Sequence, residues 1–208
     1  MVKAILFDVD GVLLDSFEAN LKFFQVLISD LGHQPPTREE YQEIFNLNMI
    51  GVLKKFTHIS SEEEFKKICE LRAVGKISYP TELLSYPESL EEVVHSLNQK
   101  YSLGIVTSRI TASIFESPRL KNLKEFFPIV VACEDTKLHK PDPAPLLLAA
   151  EKLSLPPEDI VYVGDQKTDL QAARSAGMKI IMYSPEKFPE ADRCTSKFSE
   201  LLEIINHL

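Results

Sequence analysis

Four short clusters in this chain combine the residue types that handle a phosphoryl group. Asp8-Val9-Asp10-Gly11 closes one apolar run, and Thr107-Ser108-Arg109 closes a second. Lys140-Pro141-Asp142-Pro143 follows a third run after a loop from Cys133, and Gly164-Asp165-Gln166-Lys167-Thr168-Asp169 closes a fourth. Carboxylates attack phosphorus, move protons or bind hard cations, while hydroxyl and ammonium groups stabilise phosphoryl charge. A phosphate monoester is a dianion that repels nucleophiles, so its transfer depends on positioning and electrostatic stabilisation. Asp8, Asp10, Asp165 and Asp169 would crowd four negative charges into one pocket. Two unit charges about 4 Å apart interact by ~4 kcal/mol at an effective dielectric of ~20. Such a cluster expels phosphate unless cations intervene, and Lys140 with a divalent ion supplies them. Oxygen ligands without His or Cys among them fit Mg²⁺, which binds through few carboxylates and keeps waters.

Each cluster also has a plainer structural explanation. Asp after a strand is a common turn or N-cap residue. Thr107 and Ser108 suit the cap of a following helix, Lys140 suits a solvated loop, and Asp165 and Asp169 suit a helix N-terminus. These explanations are independent of one another and do not require all four clusters in this order.

The positioning elements are legible in the apolar pattern. Val2–Phe7 is apolar apart from Lys3, and Leu103–Val106, Ile129–Ala132, Ile160–Val163 and Lys179–Met182 resemble it. Runs this short and continuous predict strands buried on both faces, as in parallel sheets. Helical patterns separate them. Ser89 with Glu92 has capping-box spacing, and Leu90, Val93, Val94 and Leu97 follow at helical intervals. Asp142 before Pro143 predicts a helix start reaching about Leu153, and a helix near Thr168–Ala176 ends at Gly177. Strands alternating with helices predict an α/β fold with a parallel sheet.

Residues 15–86 break that rhythm. Phe17, Leu21, Phe24, Leu27, Ile28 and Leu31 form one helical stripe ending at Gly32, and Ser61 with Glu64 predicts a helix carrying Phe65, Ile68 and Cys69 inward. A connection this long far exceeds the usual ~2–6 residues. It predicts an inserted helical cap, residues 15–86, within a core of residues 1–14 and 87–208.

The 208 residues exceed one average domain of ~150 and can bury a full core without disulfides. The formal net charge is −8 and no Lys/Arg block stands out, which argues against a nucleic-acid partner. No run approaches ~18 apolar residues, so neither a membrane partner nor a signal peptide is expected. Three separated cysteines without a CxxC pair predict lone buried thiols in a reducing compartment. A cytoplasmic monomer or homodimer is the expectation.

Together the four clusters resemble the motifs of the haloacid dehalogenase-like hydrolases: DxDG, then Thr or Ser, then Lys often followed by Pro, then GDxxxD. The resemblance covers nearly the whole chain and is to phosphatases with a helical cap after the first strand, of general phosphoglycolate phosphatase type. It implies a Rossmann-like parallel sheet with an inserted α-helical cap, Mg²⁺ as cofactor and a small phosphorylated metabolite as substrate. It implies that Asp8 attacks phosphorus to form an aspartyl-phosphate, and that Asp10 is the general acid and base. Thr107 would hydrogen-bond the phosphoryl group, with Ser108 and Arg109 beside it at the substrate rim. Lys140 would offset charge on Asp8 and the phosphoryl oxygens. Asp165 would bind Mg²⁺ with the Asp8 carboxylate and the Asp10 main chain, and Asp169 would act through a metal-bound water or from behind.

Asp10 separates this chain from dehalogenases of the family, which lack the second Asp, and from phosphonate-cleaving relatives, which carry Ala there. Sugar phosphomutases keep both acids, but their fourth motif more often reads Glu-Asp-Ser, against Gly164-Asp165-Gln166 here. A receiver-like signalling domain also surrounds an aspartyl-phosphate with Thr and Lys. It places that Asp after a middle strand, where this chain has Thr107, and it has no helical insertion. In the cap, Asn46, Asn48, Lys54, Lys55 and Arg72 are candidates for substrate contact, the two lysines also suiting a solvated helix face.

Overall fold

Short apolar runs form the strands β1 (Ala4–Phe7), β2 (Ser102–Val106), β3 (Ile129–Val131), β4 (Ile160–Gly164) and β5 (Lys179–Tyr183), and Arg193–Thr195 forms β6. Helices fill the intervals: α1 (Phe17–Asp30), α2 (Arg38–Gln42), α3 (Met49–Phe56), α4 (Leu90–Asn98), α5 (Thr111–Ile114), α6 (Pro118–Asn122), α7 (Ala144–Leu153), α8 (Lys167–Ala176) and α9 (Leu201–Asn206). The structure is a computed structural model, and it describes residues 1–45, 47, 49–59, 64, 68 and 78–208.

All strand pairs are parallel, in the order β3-β2-β1-β4-β5-β6. The chain steps outward from β1 in one direction as far as β3, then returns to start β4 on the other side. Ligands of open parallel sheets bind beyond the strand ends at such a reversal. Here the reversal lies between β1 and β4, whose last residues lead into Asp8 and Asp165. The register pairs Phe7 with both Ile105 and Val163, so the three central strands end at one level.

Burial explains the strand composition. Ala4, Ile5, Leu6 and Phe7 are fully buried, as are Val161, Tyr162 and Val163. One face of the sheet packs Leu6, Val106, Tyr162 and Ile180 against Leu146 and Ala149 of α7 and Leu170 and Ala173 of α8. On the other, Phe7 meets Phe127 edge-on at 6.1 Å and Phe198 at 6.4 Å. Each fully buried large apolar side chain contributes about 2 kcal/mol. Strand β6 was not legible, because Arg193-Cys194-Thr195 has no apolar run. It is an edge strand, which needs little burial.

Two compact units result: Met1–Asp15 with Ser85–Leu208, and Ser16–Leu84. The crossings therefore fall one residue later and two residues earlier than the sequence places them. Asp15 and Ser85 exchange main-chain hydrogen bonds at 2.9 and 3.1 Å, which keeps both residues in the sheet unit. In the second unit Leu21, Phe24, Leu27 and Ile28 of α1 pack with Tyr41, Val52 and Leu53, while Phe17 and Leu31 are only partly buried. Among the described residues this unit contains no strand. Of the helix expected from Ser61, Glu64 and Ile68 are described as helical, and Ile68 is buried in the same cluster; Phe65 and Cys69 lie outside the described residues.

One cap differs from expectation. Ser89 adopts φ 60° and makes no side-chain cap, because a capping hydroxyl needs extended backbone at that position. Thr37, whose spacing to Glu40 is the same, closes a full capping box at the start of α2 with bonds of 3.2 and 2.8 Å. The expectation of buried thiols is also corrected: Cys133 is partly exposed after β3 and Cys194 is exposed on edge strand β6. Cys69 lies outside the described residues. Among the described residues no helix is long and apolar enough to cross a membrane.

Candidate active site

The strand ends of the sheet unit carry the site. Asp8, the residue after β1, is buried, and its Oδ1 accepts the Val9 main-chain N–H at 2.7 Å. Its Oδ2 accepts from Lys140 Nζ at 2.8 Å. The same ammonium donates to Asp169 Oδ1 at 2.7 Å and to the Tyr162 hydroxyl at 2.8 Å. An ammonium has three N–H groups, and these three partners use them all. Burial works against the Lys140 charge, but Asp169 and Asp8 outweigh it and hold the group above the usual lysine range. For Asp8 burial dominates and Asp169 adds to it, so despite Lys140 its carboxyl is pushed up to about 6.

Asp169 is buried at the start of α8 and acts as a clamp. Its Oδ2 accepts the main-chain N–H groups of Asp165 and Gln166 at 3.1 and 3.0 Å. Its Oδ1 accepts from Lys140 and from Tyr162 Oη, the latter at 3.1 Å. The carboxylate thus fixes the β4–α8 turn on one side and the cation on the other. Gly164 is required for this approach: a Cβ there would stand 2.4 Å from Asp169 Cβ.

Asp165 faces Asp8 across the reversal of strand order. Its Oδ2 accepts from Gln166 Nε2 at 2.8 Å, while its Oδ1 is buried without a hydrogen-bond partner among the described residues. Burial raises this carboxyl, Asp8 and Asp169 raise it further, and it reaches about 8. Gly11 admits it: the glycine has φ +77°, and a Cβ would lie 2.1 Å from Asp165 Oδ2. Carboxylate oxygens of Asp8, Asp165 and Asp169 lie within 4.8 Å of one another.

Asp10 stands apart from that triad. Both its oxygens are held by Arg109, through Nε at 2.8 Å and Nη2 at 2.7 Å. This pairing was not anticipated and changes the charge balance. With Asp10 paired to Arg109, the three remaining carboxylates face one ammonium and, once all are ionised, carry two negative charges in excess. A group short of two positive charges, built from oxygen atoms and holding one orphaned buried oxygen, fits a hard divalent cation such as Mg²⁺. Thr107 is buried after β2, its Oγ1 accepting the Arg109 main-chain N–H at 3.2 Å, and Ser108 is exposed. Lys54 and Lys55 are exposed on α3. Asn46, Asn48 and Arg72 lie outside the described residues.

Sequence reasoning missed Tyr162. The signal was a polar atom in a fully buried strand, Ile160–Gly164, where every neighbour is apolar. Its hydroxyl accepts from Lys140 and faces two acceptors, Asp169 Oδ1 and the Val106 carbonyl at 3.2 Å. Tyr162→Phe is expected to cost about 1–3 kcal/mol, because it leaves a buried ammonium proton unpaired. Denaturant unfolding checks this, and unchanged stability would mean that the hydroxyl does not anchor Lys140.

Comparison with known proteins places these motifs in context. The family model described as "Haloacid dehalogenase-like hydrolase" matches residues 5–183. The pyrophosphatase PpaX of Bacillus velezensis is 31% identical over 86% of this chain and 81% of its own length. Among solved structures, a HAD-superfamily hydrolase of subfamily IA, variant 1, from Geobacter sulfurreducens is 27% identical with a TM-score of 0.73. That alignment covers 98% of this chain and 100% of the other. CbbY from Rhodobacter sphaeroides, solved in complex with phosphate, is 24% identical with a TM-score of 0.77, covering 97% of this chain and 96% of that one. At that identity the likeness is one of fold.

Proposed function

The chain belongs to the haloacid dehalogenase-like hydrolases, and from that premise we propose that it is a Mg²⁺-dependent phosphatase acting on a small phosphate monoester through an aspartyl-phosphate. The observation that carries this reading is the Lys140 ammonium bridging Asp8 and Asp169 beside the orphaned oxygen of Asp165. Lys140 takes Asp8 Oδ2, and the cradle around Asp165 has the charge and donor set for one divalent ion.

In the proposed reaction Asp8 attacks phosphorus, and the bond from phosphorus to the leaving oxygen breaks. The electron pair stays on that oxygen, which takes a proton from Asp10. Water then attacks the aspartyl-phosphate, Asp10 accepts its proton, and inorganic phosphate leaves with the Asp8 carboxylate restored. Thr107 donates its hydroxyl to the phosphoryl group, and Lys140 stabilises the charge that gathers on its oxygens. Asp8, Asp165 and the Asp10 main-chain carbonyl would hold Mg²⁺, with Asp169 fixing the turn behind them. Bound there, the ion would supply positive charge against the phosphoryl oxygens. The helical unit is proposed to act as the cap that excludes water and selects the leaving group.

Phosphate release from a panel of small phosphomonoesters and inorganic pyrophosphate, with and without Mg²⁺, tests the reading. Release from a monoester only with Mg²⁺ is expected, and no release from any compound would refute it. A diphosphate substrate is the second reading, favoured by the name of the Bacillus velezensis relative. Turnover of pyrophosphate above every monoester would select it. Free phosphate in either case separates hydrolysis from phosphomutase transfer and from a receiver-like domain.

The same carboxylates predict a metal effect that does not depend on turnover. The folded Asp165 carboxyl reaches about 8 and Asp8 about 6, both above their ordinary 3.8. Over that window the folded protein binds more protons than the unfolded chain, so metal-free stability falls as pH rises from about 4 to 8. Mg²⁺ should reverse this, raising the unfolding temperature by about 4–8 °C at pH 8 and by little at pH 5. Equal shifts at both pH values would place the ion elsewhere.

A further inference from the structure

Arg109 is held at several points within the sheet unit. Its fork spans both oxygens of Asp10, at 2.8 and 2.7 Å. Its Nη1 donates to the Ser113 carbonyl in α5 at 3.3 Å, and its main-chain N–H is held by Thr107 Oγ1 at 3.2 Å. Its side chain is 10% exposed, while that of Asp10 is 28% exposed. The guanidinium is therefore the anchored partner, and the carboxylate is the partner turned outward. A planar fork on both oxygens sets the plane of a carboxylate, which a lysine point charge does not do.

We propose that Arg109 is a positioning residue: it holds the Asp10 carboxyl group so that, once protonated, it meets the leaving oxygen, and it does not itself hold the phosphoryl group. The proposal rests on the phosphatase reading above and goes beyond it in one respect. Arg109 follows Thr107 at the rim, where a cation invites the assignment of anion recognition. Three of its side-chain hydrogen bonds are instead directed to Asp10 and to the α5 backbone. A misplacement of about 1 Å in a reacting group costs on the order of 10²-fold in rate.

The test uses ring-substituted phenyl phosphates whose leaving phenols span a range of acidity, with phenol release followed in a single turnover. A poor leaving group needs the proton from Asp10, whereas 4-nitrophenolate leaves without it. Arg109→Ala is expected to slow release from phenyl phosphate about 100-fold and from 4-nitrophenyl phosphate less than about threefold. Asp10→Asn should steepen the dependence on leaving group in the same way. The double variant should then be no slower than Asp10→Asn alone, since both changes remove one function. Arg109→Lys keeps the charge without the fork and should not rescue the rate. It also serves if the alanine variant unfolds.

A uniform loss across the series, or a raised KM with an unchanged dependence on leaving group, would overturn the proposal and make Arg109 a phosphoryl-binding residue. Failure of the parent reading has a different signature. Asp8→Asn would then release phenol like the parent protein, whatever the Arg109 variants do.

Discussion

Asp8→Asn is expected to lower phosphate release by at least ~10⁴-fold while the fold persists. The amide cannot form the acyl phosphate, so the covalent step is lost rather than slowed. The structural effect is small for identifiable reasons. An Asn oxygen can still accept the Val9 main-chain N–H that Asp8 Oδ1 accepts. Lys140 loses one of three partners but keeps Asp169 and the Tyr162 hydroxyl. Burial already disfavours the ionised form of Asp8, which is pushed up to about 6, so a neutral side chain relieves part of that cost above this pH. Steady-state phosphate release and thermal unfolding of the variant check both halves. Retained turnover would remove Asp8 as nucleophile, and loss of the folded state would leave the kinetic result to be decided by Asp8→Glu.

Lys140→Met is expected to damage both activity and stability, and the stability loss should depend on pH. The Lys140 side chain is 6% exposed and faces carboxylate side chains 11% and 1% exposed, so removing it leaves buried negative charge without a counter-charge. Breaking a buried pair in this way costs about 3–5 kcal/mol. Asp8 sits at about 6 with Lys140 in place, and without that cation it moves higher. A folded carboxyl raised above its unfolded value keeps its proton, so the fold is favoured at low pH and loses that advantage as pH rises. The deficit should therefore be largest near pH 8 and shrink toward pH 5. Denaturant unfolding at the two pH values measures it, and an equal deficit at both would show that Lys140 supports the fold by packing rather than by charge. Turnover should fall by about 10³-fold at either pH, since the phosphoryl oxygens lose their fixed cation.

The two experiments probe one arrangement, much of which was legible in the chain. Asp8, Thr107, Lys140 and Asp165 each follow an apolar run, or a loop from one, and parallel strands deliver such residues to a common rim. The periodic runs of β1, β2, β4 and β5 are buried on both faces, which leaves an unbroken apolar signature. Edge strand β6 carries no such signature, and Ser89 and Thr37 share one spacing yet only Thr37 forms the cap. Local pattern states what a residue is able to do, and the backbone angle then decides whether it does so.

The amino-acid order alone determined which groups reach the strand ends, because the alternation of apolar runs and helices covers both sheet faces and leaves the rim at the strand ends for them. Only the tertiary structure decided how those groups pair. The Arg109 fork on Asp10 joins residues 99 positions apart, and the Tyr162 hydroxyl meets Lys140 across 22. Such pairings depend on strand order and on the depth at which each side chain is buried. Both are properties of the packed whole, since the energy of a charge is set by every neighbour that replaces water around it.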